Sequence, residues 1–401
     1  MRIFDPLYGL FEVPDYVAEL LSTPEVRRLS NVRLINALSP SLATLGEIRR
    51  YSHTIGVVYL ASTNSFMGYG ADTVRAFLAA VLLHDIGTPP FGHLFEYQLR
   101  DRFSWHHEDI IGRVIEGKDR PEASGHQIFG GRAIKFLRTC RRLQIDTDLL
   151  LSLVSQTHPL SKLIFGSLDF DNLDNVLRMS WALGLSRDVA ATKSIASALS
   201  VGQQGVLHLP IALKSAVEEW LALRRRVYDI LVFDGPTVAA QAVLSKSIAA
   251  ALDSGLLTAK DWDRHDEDLI ELLRKSSPNK SEIILQYLGR LPDLSICIQV
   301  FESLRDLGFN RLEDAKSALD EILAGEFLSY AFLDRGTFEK ALTFTDPRSN
   351  DRWSIGNASE SLVLYAFRRK QRPRGDKPLS HFKQAIIERF SPRAGRIAVH
   401  A

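Results

Sequence analysis

The feature that most constrains this chain is an apolar helix that runs into the pair His84-Asp85. From Asp72 onward Val74, Phe77, Leu78, Val81 and Leu82 recur at helical spacing. Gly87 then supplies a C-terminal stop, and Thr88-Pro89-Pro90 forbids immediate continuation. Two successive side chains at such a helix end can both turn toward one ion. An upstream His53 and a downstream Asp171 extend the pair to two imidazoles and two carboxylates. That mixed nitrogen and oxygen set suits a catalytic divalent transition metal (manganese, iron, cobalt, nickel or zinc) better than a closed structural zinc, which normally uses cysteines.

Most of the chain reads as helix. Val57, Val58, Leu60 and Ala61 place His53 on a second apolar helix. A third begins near Ser167 and runs through Leu173, Val176, Leu177, Trp181 and Leu183 to Gly184. On it Asp171, Asp174 and Arg178 share one face. Trp105 to Gly131 reads as a helix followed by a mobile loop around 118–125. Lys214 to Leu257 reads as two helices broken at Phe233-Asp234-Gly235-Pro236. Ser276 to Lys280 is the best linker candidate, which divides the chain into a core, 1–275, and a regulatory or assembly region, 276–401. After the linker short helices are expected, then Leu342 to Thr345, a turn-rich Asp346 to Asp351, and a strand at Ser361 to Phe367. The fold class expected is all-α, with a small β element near the C-terminus.

With 401 residues, 45% hydrophobic and 24% charged, the chain can bury one large core or two domains. A formal net charge of +1 excludes bulk attraction to nucleic acid or membrane, so any such binding needs a local patch. The basic stretch Arg368 to Arg396 reads as a solvated tail or subunit contact before it reads as a nucleic-acid site. Cys140 and Cys297 sit in no metal spacing and read as reduced, buried thiols. Met1 to Pro6 lacks the apolar run of a signal peptide, and no segment approaches the ~20 apolar residues of a membrane span. A cytoplasmic location is expected.

Taken together, His53, His84-Asp85, Asp171 and the continuation Gly87 to His93 resemble the HD-domain metal-dependent phosphohydrolases, and within them the dGTP and dNTP triphosphohydrolase branch. Arg50-Tyr51-Ser52-His53 matches the family's Arg-x-x-His. Phe91 to Glu96 matches its Pro-Phe-x-His segment with a following acid. Trp105-His106-His107-Glu108 matches a His-Glu pair, and Leu168 to Asp174 the segment of the last ligand. Arg225-Arg226-Val227-Tyr228 is similar to a further substrate-side helix. The resemblance covers roughly residues 20 to 275 and implies an HD-type helical bundle with His53, His84, Asp85 and Asp171 as metal ligands. It further implies His93, Glu96, His107 and Asp85 as catalytic groups: the histidines transfer protons or stabilise phosphate charge, Glu96 orients one of them, and Asp85 orders a water. Arg50, Thr88, Arg178, Arg226 and Tyr228 are then candidates to hold the nucleotide, the guanidiniums by bidentate phosphate clamping. Arg178 has the alternative of binding Asp174, and His126 and His158 read as structural. Additional magnesium arriving with the nucleotide, and homo-oligomerisation, are also implied.

Three departures mark the chain as divergent. Thr88 stands where the family commonly has His, and threonine cannot donate a proton as an imidazolium does. Leu34-Ile35-Asn36 stands where the dNTP hydrolases carry the Gln-Leu-Gly motif that tests the deoxyribose. Asn175 and Met179 replace an aromatic and an acid on the last ligand's helix. Hydrolysis of a nucleotide phosphate is therefore expected more firmly than any one nucleotide. The alternatives are a phosphodiesterase on cyclic nucleotides or nucleic-acid ends, and a nucleotide-sensing protein without catalysis.

Overall fold

The computed structural model describes residues 1–36, 41–115, 135–276, 294–300, 303–323, 328–336, 340–358, 360–368, 379–390 and 395–400. The loop expected around 118–125, His126, most of the linker and much of the basic stretch lie outside these residues.

The chain is mostly helical. The apolar run from Asp72 forms the helix Ala71–Leu83, whose C-cap is His84. It packs on Arg50–Ser62, and Arg50–Ser62 packs on Phe170–Ala182, so the three expected site helices are mutual neighbours. Phe170–Ala182 opens with Asp169 as N-cap, its carboxylate accepting from the Asn172 amide at 2.7 Å. On its far side Phe170–Ala182 packs on Lys214–Phe233. Asp234 caps the next helix, Gly235–Asp253, at the break read from Gly235-Pro236. Val57, Leu60, Phe77, Val81, Phe95, Phe170 and Leu173 lie in the principal core.

Two of these helices approach closely at Gly56. A Cβ there would lie 1.9 Å from Asp174 Oδ1 and 2.3 Å from Arg178 Nη2. Only a residue without a side chain lets the His53 helix come this near the helix that carries Asp171.

The β content exceeds the small C-terminal element expected. Three sheets are present among the described residues. An N-terminal hairpin pairs Arg2–Asp5 with Gly9–Glu12. One four-stranded sheet runs in the order Gly395–His400, Leu294–Val300, Glu360–Arg368, Leu328–Arg335, all antiparallel. Two of its strands occupy ground where short helices were expected, and one helix, Leu312–Leu323, does form between them. The strand at Ser361 to Phe367 is present as Glu360–Arg368. Its alternate residues face opposite layers: Leu362, Leu364 and Ala366 join a core with Leu319 and Phe382, whereas Val363, Tyr365 and Phe367 join one with Val232 and Val238. A strand buried on both faces reads as a continuous apolar run, and that is the pattern in the sequence.

The third sheet ties the two halves of the chain together. Its order is Ser200–Val201, Leu207–His208, Leu342–Thr345, Arg352–Ile355. Trp353 donates its indole N–H to the Leu209 carbonyl at 3.0 Å, and Asp346 accepts from the Ile211 amide at 2.7 Å. Leu342, Phe344 and Trp353 belong to the principal core, so the boundary drawn at 275 is crossed by shared packing. No single helix among the described residues is long and apolar enough to cross a membrane.

Candidate metal centre

His53, His84 and Asp171 meet as one group, each offering a ligand atom within 4.8 Å of the others. His53 Nε2 lies 2.8 Å from Asp171 Oδ1 and 3.4 Å from His84 Nε2. His84 Nδ1 donates to the Val81 carbonyl at 2.7 Å, which fixes its tautomer and leaves Nε2 as a lone-pair donor. Asp85 completes the set. Its Oδ2 is buried, has no hydrogen-bond partner, and lies 3.5 Å from His84 Nε2. A buried carboxylate oxygen facing an imidazole lone pair is unfavourable unless a cation sits between them. The donor set thus fits a divalent transition metal held by His53, His84, Asp85 and Asp171.

The other Asp85 oxygen is occupied. Oδ1 accepts from Arg50 Nη1 at 2.7 Å and from the Thr88 hydroxyl at 2.9 Å. Burial pushes this carboxyl up, but the charges of Arg50 and His53 and the Arg50 hydrogen bond overcome it and hold Asp85 well below the usual carboxylate range. Arg50 and Thr88, expected at the substrate, therefore stand against a metal ligand.

Behind His53 lies a group that the sequence placed on the right face without giving it this role. Asp174 Oδ2 accepts from His53 Nδ1 at 2.7 Å, and its Oδ1 from the Tyr8 hydroxyl at 2.7 Å. Arg178 donates to both Asp174 oxygens, at 2.8 and 3.0 Å, and to Asp5 at 3.1 Å. Arg178 is 1% exposed, so its guanidinium braces Asp174 instead of facing substrate. Burial raises Asp174, yet Arg178 and His53 bring it down to about 2. Burial likewise lowers His53, but its hydrogen bonds to Asp171 and Asp174 prevail and raise it to about 9. Carboxylate, imidazole and metal-side nitrogen in line are the arrangement that orients a metal-binding histidine. Tyr8 and Asp5 come from the N-terminal hairpin, whose part in the site had no signal in the metal pattern.

The turn after the pair is locked from outside. Arg28 donates to the Ile86 carbonyl at 2.9 Å and also to the Thr88 carbonyl. Asp266, fully buried, accepts from the Phe91 amide at 2.9 Å and the Arg33 amide at 2.8 Å. Phe91 and Gly92 have φ of 57° and 54°. These two positive-φ residues immediately precede the helix His93–Phe103, with Gly92 as its N-cap.

On that helix Glu96 is clasped by two imidazoles. His93 Nδ1 donates to it at 2.8 Å and His107 Nδ1 at 2.6 Å. Burial pushes Glu96 up, but the two histidines hold it well below the ordinary range. It is His107 that meets Glu96, while His106 is exposed. Of the helix Lys214–Phe233, Tyr228 lies near enough to Asp171 for that charge to raise its phenol, after burial. Arg226 is exposed and points elsewhere: two residues are about 200° apart on a helix. The guanidinium on the Tyr228 face is Arg224, which stacks over the Tyr228 ring at 4.6 Å and was missed for its neighbour. His158 accepts from the Leu160 amide and caps a short turn, and Cys140 is buried, its thiol pushed up by burial to about 12. The side chain of Cys297 lies outside the described residues.

No protein-family model matches the chain. It is 22% identical over 340 residues to the uncharacterized protein MG461 of Mycoplasma genitalium, covering 78% of this chain and 75% of that one. It is 30% identical over 199 residues to the Dictyostelium discoideum homologue of the deoxynucleoside triphosphate triphosphohydrolase SAMHD1, covering 46% of this chain and 37% of that one. Among solved structures, the fold is similar to that of a phosphohydrolase from Bacteroides thetaiotaomicron, with a TM-score of 0.65 at 17% identity over 92% of this chain and all of that one.

Proposed function

We propose that this chain is an HD-type metal-dependent phosphohydrolase acting on nucleotides, and specifically a triphosphohydrolase that splits (deoxy)nucleoside triphosphates into nucleoside and triphosphate. The observation that carries the reading is the convergence of His53, His84 and Asp171, with Asp85 Oδ2 buried 3.5 Å from His84 Nε2 and lacking a hydrogen-bond partner. The likeness to a SAMHD1 homologue and to a solved phosphohydrolase supports the class of reaction.

A divalent metal held there would polarise a phosphate oxygen and lower the pKa of bound water. The protein's residues do the rest. Arg50 and Thr88 fix the Asp85 carboxylate by its Oδ1 and leave Oδ2 for the ion. Glu96 holds His93 and His107 by their Nδ1 atoms, which leaves each Nε2 free of that carboxylate. His93, the more exposed of the two, is the group placed to pass a proton to the leaving oxygen. That assignment accommodates Thr88, whose hydroxyl is engaged by Asp85 and has no proton-transfer duty. Tyr228 and Arg224 flank the Asp171 side.

The test is a screen of dNTPs and NTPs with manganese, iron, cobalt, nickel or magnesium, measuring phosphate, pyrophosphate and triphosphate separately. Release of triphosphate that disappears in His84→Ala is the expected result. Turnover of bis-p-nitrophenyl phosphate or single-stranded DNA alone would move the assignment to a phosphodiesterase. A metal-loaded protein that hydrolyses none of these would end the catalytic reading. Homo-oligomerisation belongs to the same proposal: light scattering should show more than one chain, and a monomer with and without nucleotide would refute it.

A further inference from the structure

Lys340 lies in the C-terminal half of the chain, two residues before the strand Leu342–Thr345 that joins the third sheet. That sheet carries it to the first turn of the helix Phe170–Ala182. There Nζ donates to Asn172 Oδ1 at 3.3 Å, and Asn172 is the residue after Asp171. The Asn172 amide cannot swing freely, because its backbone N–H and Nδ2 both bind Asp169 Oδ1, at 2.7 and 2.8 Å. Its oxygen is thereby presented to Lys340. An ammonium has three N–H donors, and among the described residues the one hydrogen bond this ammonium makes is to a neutral amide oxygen, at a rather long distance.

A second cation stands close by. Arg224 stacks on Tyr228 and donates to the Gly336 carbonyl at 3.0 Å. Burial and the Arg224 charge both push the Lys340 ammonium down, while Asp169 and Asp171 pull it up. Lys340 and Arg224 thus set two positive charges at the edge of the candidate metal site, where they would offset the charge of a bound phosphate.

We propose, resting on the reading of the site as a phosphohydrolase centre, that Lys340 is a substrate-phosphate ligand: its Nζ binds a non-bridging oxygen of a polyphosphate chain seated beside Asp171. The C-terminal half then contributes directly to substrate binding, and its folding onto the core completes the site.

The probe is inorganic tripolyphosphate, titrated calorimetrically into the manganese-loaded full chain, for wild type, Lys340→Met and Lys340→Arg. Manganese affinity and Tm are recorded for each. Lys340→Met should weaken tripolyphosphate at least about tenfold, the scale of a lost charge-assisted hydrogen bond, with manganese affinity and Tm unchanged. Lys340→Arg should recover most of the loss. Unchanged tripolyphosphate binding in Lys340→Met would overturn the proposal, as would a loss that comes only with lost manganese affinity and lowered Tm. So would a wild type that binds no tripolyphosphate. Lys340-dependent binding in a protein that hydrolyses no nucleotide would sustain this inference and remove the proposed activity. Nucleotide hydrolysis with the same KM in Lys340→Met would do the reverse.

Discussion

At the scale of single residues, the centre is governed by where protons go. His53 faces a carboxylate at each ring nitrogen, so the metal-free protein holds it as an imidazolium with its pKa raised from 6.5 to about 9. A group raised on folding stabilises fully below its unfolded pKa, and that contribution is lost as pH rises through the folded value. The metal-free Tm should therefore drift down between pH 6.5 and 9 from this residue. Metal binding has the opposite sign, because a cation at Nε2 must displace that proton. Affinity for cobalt or manganese is expected to rise about tenfold per pH unit up to about pH 9. Calorimetric titrations in buffers of different ionisation enthalpy measure both affinity and proton release. A flat profile with no proton released would contradict the arrangement of His53 between Asp171 and Asp174.

At the scale of elements, three helices position the candidate ligands and one glycine lets two of them approach. The helices Arg50–Ser62 and Phe170–Ala182 meet where Gly56 faces Asp174 and Arg178. Gly56→Ala gains about 1 kcal/mol of helix propensity but forces Asp174 or Arg178 aside, at a cost of about 1–3 kcal/mol for overpacking. A net loss of stability in urea and a weaker metal titration are expected together, because Asp174 orients His53. Gly56→Ala with wild-type stability and metal affinity would show that the two helices can separate without harm. These elements were legible in the sequence because their large apolar residues recur at helical spacing, as Val74, Phe77, Leu78, Val81 and Leu82 do. The strands were less legible. Glu360–Arg368, which packs on both faces, was readable only as a continuous apolar run, while the four-residue strands of the N-terminal hairpin are too short to establish a period.

At the scale of the whole molecule, the halves before and after residue 275 form one packed body where the third sheet joins them. Leu342, Phe344 and Trp353 fill the same core as Phe77 and Leu173. A chain ending at residue 275 should lose that apolar contact together with Lys340, and is expected to melt lower and bind tripolyphosphate more weakly. A truncated chain with the full-length Tm would show that the sheet contributes no stability to the core. What the sequence by itself determined is the candidate donor set: His53, His84, Asp85 and Asp171 are chemically distinctive residues on or just past helices that local periodicity and turn chemistry already define. The tertiary structure alone decided what stands around them. Asp266 bracing the Phe91 amide, Tyr8 on Asp174, Arg224 in place of Arg226 beside Tyr228, and Lys340 beside Asn172 are pairings between distant segments. The reason is physical. A ligand's identity is written in its own side chain, whereas its partner is chosen by the packing of helices and sheet, and no local pattern records that choice.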